Sequence, residues 1–355
     1  MTIPVFTVED AEPATLARFD PVVDARTPAE FTEDHIPGAI NLPVLSDAER
    51  AEVGTLYVQQ SRFEARRVGA AYVARNVAHH LQTAMAGWPE GFRPLVYCWR
   101  GGMRSNAMAL ILAQVGWRMT VLRGGYRTYR RRVSAQLYAR APLGNVVLLG
   151  GPTGSGKTEV LRQLAGLGVQ TLDLEGLAEH RGSLFGDLAG RVQPSQKLFE
   201  SRLLSEIEQL DPARPVVVEA ESSRVGAVML PPVLWQAMAS ARRIELTASP
   251  EARARYLADT YADFGRDPAR LEAALARLPE RLGAKRLQAW QGLAGDGALA
   301  ELAAALVEAH YDPAYRGSSR RDARPLLARI PVGSLDGPGF ALAAKTVAEH
   351  LTASS

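Results

Sequence analysis

The chain's single cysteine lies in the run Tyr97-Cys98-Trp99-Arg100-Gly101-Gly102-Met103-Arg104-Ser105. An apolar stretch, Pro94-Leu95-Val96-Tyr97, leads straight into Cys98, and a helical pattern begins near Arg104. A strand that stops at a cysteine, with a helix starting just beyond, turns successive backbone N–H groups inward and adds the positive end of a helix dipole. Both features, with Arg100 and Arg104 nearby, favour a thiolate over a thiol. Gly101 and Gly102 let the backbone curl tightly. The chemistry expected is nucleophilic, with Cys98, Arg100 and Arg104 as catalytic candidates in a cradle for an oxyanion or a chalcogen anion. A lone cysteine is more often a small buried hydrophobe; the glycines, the arginines and the strand–loop–helix setting favour function here.

A second motif, Gly151-Pro152-Thr153-Gly154-Ser155-Gly156-Lys157-Thr158, fits G-x-x-x-x-G-K-[ST] between the strand Asn145-Val146-Val147-Leu148-Leu149 and a helix starting near Lys157. Gly151, Gly154, Ser155, Gly156, Lys157 and Thr158 are therefore expected to bind phosphate or diphosphate. Their amides wrap the oxygens, Lys157 supplies a point charge and Thr158 can bind Mg²⁺, which is the one metal candidate and not a firm one. Two acidic pairs are candidates for acid–base or Mg²⁺-associated roles. Asp173 and Glu175 follow the strand expected at 169–172, where an acid faces the acceptor in similar small-molecule kinases. Glu219 and Glu221 follow the strand expected at 215–218, the usual place for an acidic partner of Mg²⁺. Helix-terminal or loop-surface charge is an equal alternative for both pairs. Arg253 and Arg255 are candidates for a phosphate lid, with a solvated helix face the favoured reading.

These loops need elements to hold them. A chain of 355 residues, 47% hydrophobic and 22% charged, is long enough for two domains with an ordinary globular balance. The strand at Pro21-Val22-Val23, a helix over 65–82, the strand before Cys98, a helix over 105–115 and the strand Thr120-Val121-Leu122 alternate as in a mostly parallel α/β sheet. Pro142-Leu143-Gly144 reads as a linker, so the domains are placed at 1–138 and 139–355. The second contains a further strand at 243–247 and, from about Pro250, an Ala-, Leu- and Arg-rich tail that reads as helical to the end. One cysteine excludes an intrachain disulfide. There is no secretory leader pattern and no run of ~18 apolar residues. A cytoplasmic protein without a membrane partner or a tightly bound cofactor is expected.

Asp24-Ala25-Arg26, the turn His35-Ile36-Pro37-Gly38-Ala39, the Cys98 loop and Leu122-Arg123-Gly124-Gly125 together resemble a rhodanese domain over roughly residues 10 to 135. That resemblance implies sulfur or selenium carried on Cys98. The cysteine-to-arginine loop is one residue longer than in plain sulfurtransferases, and Cys98-x-x-Gly101-x-x-Arg104-Ser105 also resembles the loop of cysteine phosphatases. Tyr97 stands where those enzymes usually place histidine, which favours rhodanese. His35 reads as a structural turn residue. The fold class expected is α/β: a rhodanese-like domain, then a P-loop NTPase-like α/β domain with a helical C-terminal extension.

That combination resembles the tRNA 2-selenouridine synthase family over nearly the whole length. Further matching segments are Asp173-Leu174-Glu175-Gly176-Leu177 with His180-Arg181-Gly182-Ser183, Gln193-Pro194-Ser195-Gln196-Lys197, Glu221-Ser222 with Arg224, and Tyr311-Asp312-Pro313 with Tyr315. The resemblance implies chemistry on the wobble uridine of the tRNAs for lysine, glutamate and glutamine. The 2-thio sulfur is first geranylated from geranyl diphosphate and then replaced by selenium from selenophosphate, with Cys98 as carrier. An enzyme that supplies selenophosphate is the implied partner. Basic clusters suit the tRNA. Arg127, Arg130, Arg131 and Arg132, interleaved with Tyr126 and Tyr129, form one candidate; Arg316, Arg320, Arg321 and Arg324 form another. A solvated charged face is an equal alternative for each. A cysteine phosphatase or small-molecule kinase, and a non-catalytic tRNA-binding adaptor, are the alternatives. Intact Cys98, Lys157 and Thr158 argue against the adaptor.

Overall fold

The computed structural model describes residues 4–183, 185–188, 190–262, 267–279, 282–320 and 322–352. The chain divides into two compact units: 1–140 with 200–205, and 141–199 with 206–355.

The first unit is built on five parallel strands: β1 (Phe6–Val8), β2 (Val22–Asp24), β3 (Ile40–Asn41), β4 (Leu95–Tyr97) and β5 (Thr120–Leu122), in the order β1-β5-β4-β2-β3. The inner strands β4 and β5 are buried at every position, as parallel strands covered on both faces must be. Val23, Val96 and Val121 pack with Val73 and Val77 of the helix Arg62–Gln82 and with Met108 and Leu112 of the helix Met103–Val115. Two helices start on capping boxes, Thr27 with Glu30 and Ser46 with Glu49. The helix that the second box opens, Asp47–Gln59, is one the sequence patterning did not suggest.

The second unit holds another five-stranded parallel sheet, of β6 (Val146–Gly150), β7 (Gln170–Leu172), β8 (Val216–Glu219), β11 (Arg242–Thr247) and β12 (Leu326–Pro331), in the order β12-β11-β6-β8-β7. A two-stranded antiparallel ribbon, β9 (Arg224–Val225) and β10 (Val228–Met229), stands apart from it. The central strand β6 feeds the phosphate-loop motif, and the helix Lys157–Gly166 packs Val160 and Leu164 on Leu149, Val217 and Leu246. A separate apolar cluster joins Leu271, Leu275, Trp290, Leu302 and Leu306 of the later helices.

The tail is not helical throughout, because β12 interrupts it. Its residues, Leu326-Leu327-Ala328-Arg329-Ile330-Pro331, share the Ala/Leu/Arg composition of the neighbouring helices. Their extended state is set by pairing with β11, a non-local contact that local composition does not encode. Pro331 closes the strand at the sheet edge, where its missing N–H costs nothing.

Candidate functional site

Cys98 follows β4 directly and is 3% exposed, with its sulfur 3.2 Å from the Ser105 hydroxyl. Gly101 takes a left-handed φ of +61°, and a Cβ there would collide with the Leu122 carbonyl. A Cβ on Gly125 would likewise strike the Cys98 carbonyl, which accepts from the Tyr126 amide at 2.8 Å. The Leu122-Arg123-Gly124-Gly125 turn is thus the seat of the cysteine loop, and its glycines are needed for backbone-on-backbone contact. Helix Met103–Val115 begins at once behind Gly102. Glu30 accepts from both terminal nitrogens of Arg104, at 2.6 and 3.1 Å. Burial pushes the Glu30 carboxyl up, but the Arg104 hydrogen bonds and charge outweigh it and leave it below its ordinary range. Arg100 is exposed beside the loop.

Beneath the loop lies a buried polar network. Arg26, 1% exposed, is bonded by Nη2 to Asp24 Oδ2 at 2.6 Å and to the Asp34 carbonyl at 2.5 Å, and its guanidinium sits 4.1 Å over the Tyr126 ring. Tyr126 donates to Asp34 at 2.7 Å, and the Tyr97 hydroxyl accepts from the Ile36 amide at 3.2 Å. Tyr97 is therefore a post under the 35–39 turn; burial drives its phenol well above the ordinary range. His35 stacks on Phe31 at 3.8 Å with Nδ1 2.8 Å from the Phe31 carbonyl, a structural arrangement.

In the second unit the phosphate-loop residues wrap the mouth of a cavity of about 1210 Å³. Gly156, at φ +78°, ends the loop; a Cβ there would run into the Phe340 ring. Lys157 Nζ lies 3.3 Å from the Gly151 carbonyl. The Ser155 hydroxyl is buried and has no partner among the described residues. Thr158 Oγ1 lies 2.7 Å from Glu219 and 3.0 Å from Glu175. One hydroxyl proton cannot serve two carboxylates. The arrangement closes if Thr158 donates to one and accepts from the other in protonated form. Burial first, then the neighbouring carboxylates, pushes Glu175 up to about 7 and Glu219 up to about 8. Burial also raises Glu221, against the pull of Lys157.

Asp173 has a different job, capping the short helix Leu174–Leu177 by accepting from the Gly176 amide at 2.6 Å. The donors at Thr158 and Glu219 are all oxygen, which suits Mg²⁺. No group of three His, Cys, Asp or Glu side chains among the described residues forms a metal cage. An ion bound here would complete its shell with phosphate oxygens and water, as Mg²⁺ commonly does.

Several residues take roles that spacing did not suggest. Arg253 is not a lid: it is 2% exposed, chelates Asp312 at 2.8 and 2.8 Å, and donates to the Thr153 carbonyl at 3.1 Å. It braces the phosphate loop from behind and accounts for the Tyr311-Asp312-Pro313 segment. Arg255 is exposed, as on a solvated helix face. Arg181 stacks over the Tyr261 ring at 4.8 Å and lines the cavity with Ser183. His180 lies 3.5 Å from Asp187 and accepts from the Gly182 amide at 3.1 Å, closing its own loop. Gln193 joins two segments, donating to the Ala178 carbonyl at 2.9 Å and accepting from the Ala227 amide at 2.7 Å.

The four candidate RNA-binding arginines lie on the helix Tyr126–Tyr138 and do not act alike. Arg127 and Arg131 are exposed. Arg130 is ion-paired with Glu200 and lies 3.7 Å from Asp34; Arg132 pairs with Glu12 at 2.7 Å. Tyr126 and Tyr129 are each 3% exposed, so their rings serve the core and offer no stacking surface. In the second cluster Arg316 and Arg320 are exposed, Arg324 pairs with Asp322 at 2.7 Å, and Arg321 lies outside the described residues.

Residues 10–132 match the model of the rhodanese-like domain family, and residues 144–331 match that of the tRNA 2-selenouridine synthase AAA domain. The chain is 34% identical over 327 residues to a tRNA 2-selenouridine synthase of Pseudomonas savastanoi pv. phaseolicola, covering 83% of this chain and 87% of the relative. It is 37% identical over 329 residues to one of Bordetella bronchiseptica, with the same coverage of 83% and 87%.

Proposed function

The chain belongs to the tRNA 2-selenouridine synthase family, and on that premise we propose that it exchanges sulfur for selenium at 2-thiouridine of tRNA through an S-geranyl intermediate. The observation that carries this reading is the pairing of two different anion cradles in one chain: a buried thiol seated on a backbone turn, and a phosphate loop opening on a large cavity.

In the first step the phosphate loop holds geranyl diphosphate. The thiocarbonyl sulfur attacks the first geranyl carbon, a C–S bond forms, and diphosphate leaves with the electron pair of the broken C–O bond. Loop amides, Lys157 and Ser155 take up its charge. Mg²⁺ held by Thr158 and Glu219 would add to that neutralisation. Alkylation matters because a thiocarbonyl sulfur leaves poorly and an alkylated one leaves well.

In the second step selenium from selenophosphate forms a bond to uridine C2, and geranylthiol departs. Cys98 is the carrier. Loading it forms an S–Se bond and breaks the Se–P bond with the pair left on phosphorus, so phosphite departs. Two thiols then supply the electrons that free selenium from the cysteine. Direct attack by selenophosphate on C2 instead ends with hydrolysis to phosphate and needs no reductant. The tRNAs for lysine, glutamate and glutamine, an enzyme supplying selenophosphate, and a cytoplasmic location belong to the same proposal.

The test is nucleoside mass spectrometry of tRNA from selenium-grown cells with and without this gene. Loss of 2-selenouridine with retention of 2-thiouridine is expected; 2-selenouridine persisting without the gene overturns the function. Phosphorus NMR of the purified reaction distinguishes the two selenium routes, phosphite supporting the carrier and phosphate opposing it.

A further inference from the structure

We propose that a small apolar slot beside the phosphate loop seats the far end of an isoprenoid diphosphate and so sets the chain length the enzyme accepts. The proposal rests on the reading of the phosphate loop as a prenyl diphosphate site. The slot, of about 50 Å³, is lined by Phe185, Leu271, Leu302, Ala303 and Leu306, among others, with no charged side chain among the described residues. Leu257, Tyr261 and Tyr311 line both this slot and the phosphate-loop cavity.

Those three residues border both spaces, and each is suited to that position. Tyr261 and Ser183 share a hydrogen bond of 2.9 Å, and Tyr311 bonds to the same serine. Ser183 lines the polar cavity, so the phenol tips are anchored on the wet side. Leu257 lies against the phosphate loop itself, since a Cβ on Gly154 would stand 2.9 Å from its Cγ. The slot therefore begins one side chain away from the phosphate-binding backbone.

A ligand that occupies both spaces is anionic at one end and apolar at the other. A polar tail would lose its hydration in the slot and find no partner for it. With roughly 10–15 Å³ needed per water-sized group, a slot of about 50 Å³ takes about four such groups, close to one isoprene unit. A ten-carbon chain can then place its distal unit in the slot and keep its reactive first carbon in the larger cavity, where the acceptor sulfur must arrive. A five-carbon chain has a single isoprene unit, which leaves the slot empty when its reactive carbon stays in the larger cavity, and a fifteen-carbon chain carries one unit more than the slot takes.

The experiment is calorimetric binding of inorganic diphosphate, dimethylallyl diphosphate, geranyl diphosphate and farnesyl diphosphate to the full chain and to two variants, Ala303→Trp and the milder Ala303→Leu. Ala303 lines the slot and is only half-buried, so a larger side chain there narrows the slot at small cost to the fold. Geranyl diphosphate should bind on the order of 100-fold more tightly than inorganic diphosphate, the value of burying about four carbons. Dimethylallyl and farnesyl diphosphate should gain little. Both variants should keep their affinity for inorganic diphosphate, which also reports an intact fold, and lose most of the geranyl gain, the tryptophan more than the leucine. Absence of inorganic diphosphate binding to the unmodified chain overturns the phosphate-loop reading and this proposal with it. Diphosphate binding with no geranyl gain, or a gain that survives in both variants, overturns the slot alone.

Discussion

The Thr158 hydroxyl and the Glu219 carboxylate share a 2.7 Å hydrogen bond at the floor of the phosphate-loop cavity, and Glu175 approaches the same hydroxyl at 3.0 Å. Three glutamates converge here, because Gly182 abuts both Glu175 and Glu221. Glu219 is fully buried, and Glu175 and Glu221 are half-buried at the cavity wall, so their mutual repulsion favours keeping part of the cluster protonated, and a cation bound beside them would favour full ionisation.

This cluster makes the ligand-free protein sensitive to pH. In the folded chain burial and mutual repulsion push the pair up, Glu175 to about 7 and Glu219 to about 8, whereas the unfolded chain leaves both in the ordinary carboxylate range. The native state therefore holds protons that the unfolded chain has released. Their contribution is fully present below the ordinary range and is lost as pH rises through about 8. Thermal unfolding without ligand should show a lower midpoint at pH 8.5 than at pH 6. Glu219→Gln should flatten that difference by removing the most deeply buried acid of the three. A variant with the original pH profile would dismiss this origin.

The Asp24–Arg26 pair under the cysteine loop should be stabilising only as a pair. Both side chains are essentially inaccessible, at 0% and 1% exposure. Asp24→Ala leaves a buried guanidinium with its chief partner gone, at a cost of about 3–5 kcal/mol. Urea unfolding of the chain should show the loss as a lower midpoint. An unchanged midpoint would mean that the Asp34 carbonyl and the Tyr126 ring suffice.

Much of this was legible in the residues. Cys98 and the 151–158 motif announce their strand–loop–helix settings because both patterns are local and backbone-driven. Asp24, Arg26 and the 35–39 turn were recognisable as a set, but their shared purpose was not. It depends on Arg26 meeting Tyr126 a hundred positions away, and sequence order carries no sign of that. The Arg253–Asp312 brace was hidden for the same reason, and its arginine read as part of a solvated helix face, with a phosphate lid as the alternative. Strand β12 was concealed by helix-like composition. Charge counting also failed along the 126–138 helix, where burial separates arginines of equal charge into structural and solvent-facing ones.

Single substitutions in the two loops should separate the proposed half-reactions. Cys98→Ala should abolish selenium incorporation and leave geranylation largely intact, since alkylation needs no chalcogen carrier. Lys157→Ala should prevent geranylation, while tRNA supplied already geranylated is still selenated. Rates measured on defined tRNA substrates decide this. Loss of both steps in a folded, tRNA-binding Cys98→Ala protein would sink the division of labour.

The final prediction divides the arginines of the 126–138 helix. Arg127 and Arg131 lie four residues apart on one face and are exposed, so they are placed to neutralise tRNA phosphates and release counterions. Replacing both with alanine should weaken tRNA binding and reduce the slope of log affinity against log salt by roughly one unit per lost contact. Arg130→Ala should behave differently. Its side chain is 20% exposed and faces Glu200 and Asp34, at 2% and 1%. Removing it takes the opposing charge from two buried carboxylates, which keep hydrogen bonds from Tyr126 and Tyr138; the cost, discounted for the partial exposure of the guanidinium, is about 1–3 kcal/mol of stability. The salt slope of the surviving folded protein should stay near that of the unmodified chain. Parallel measurement of unfolding and of tRNA binding at three salt concentrations distinguishes the two behaviours. An unchanged slope in the double variant would remove this helix from the RNA surface and direct the search to Arg316 and Arg320, which are also exposed.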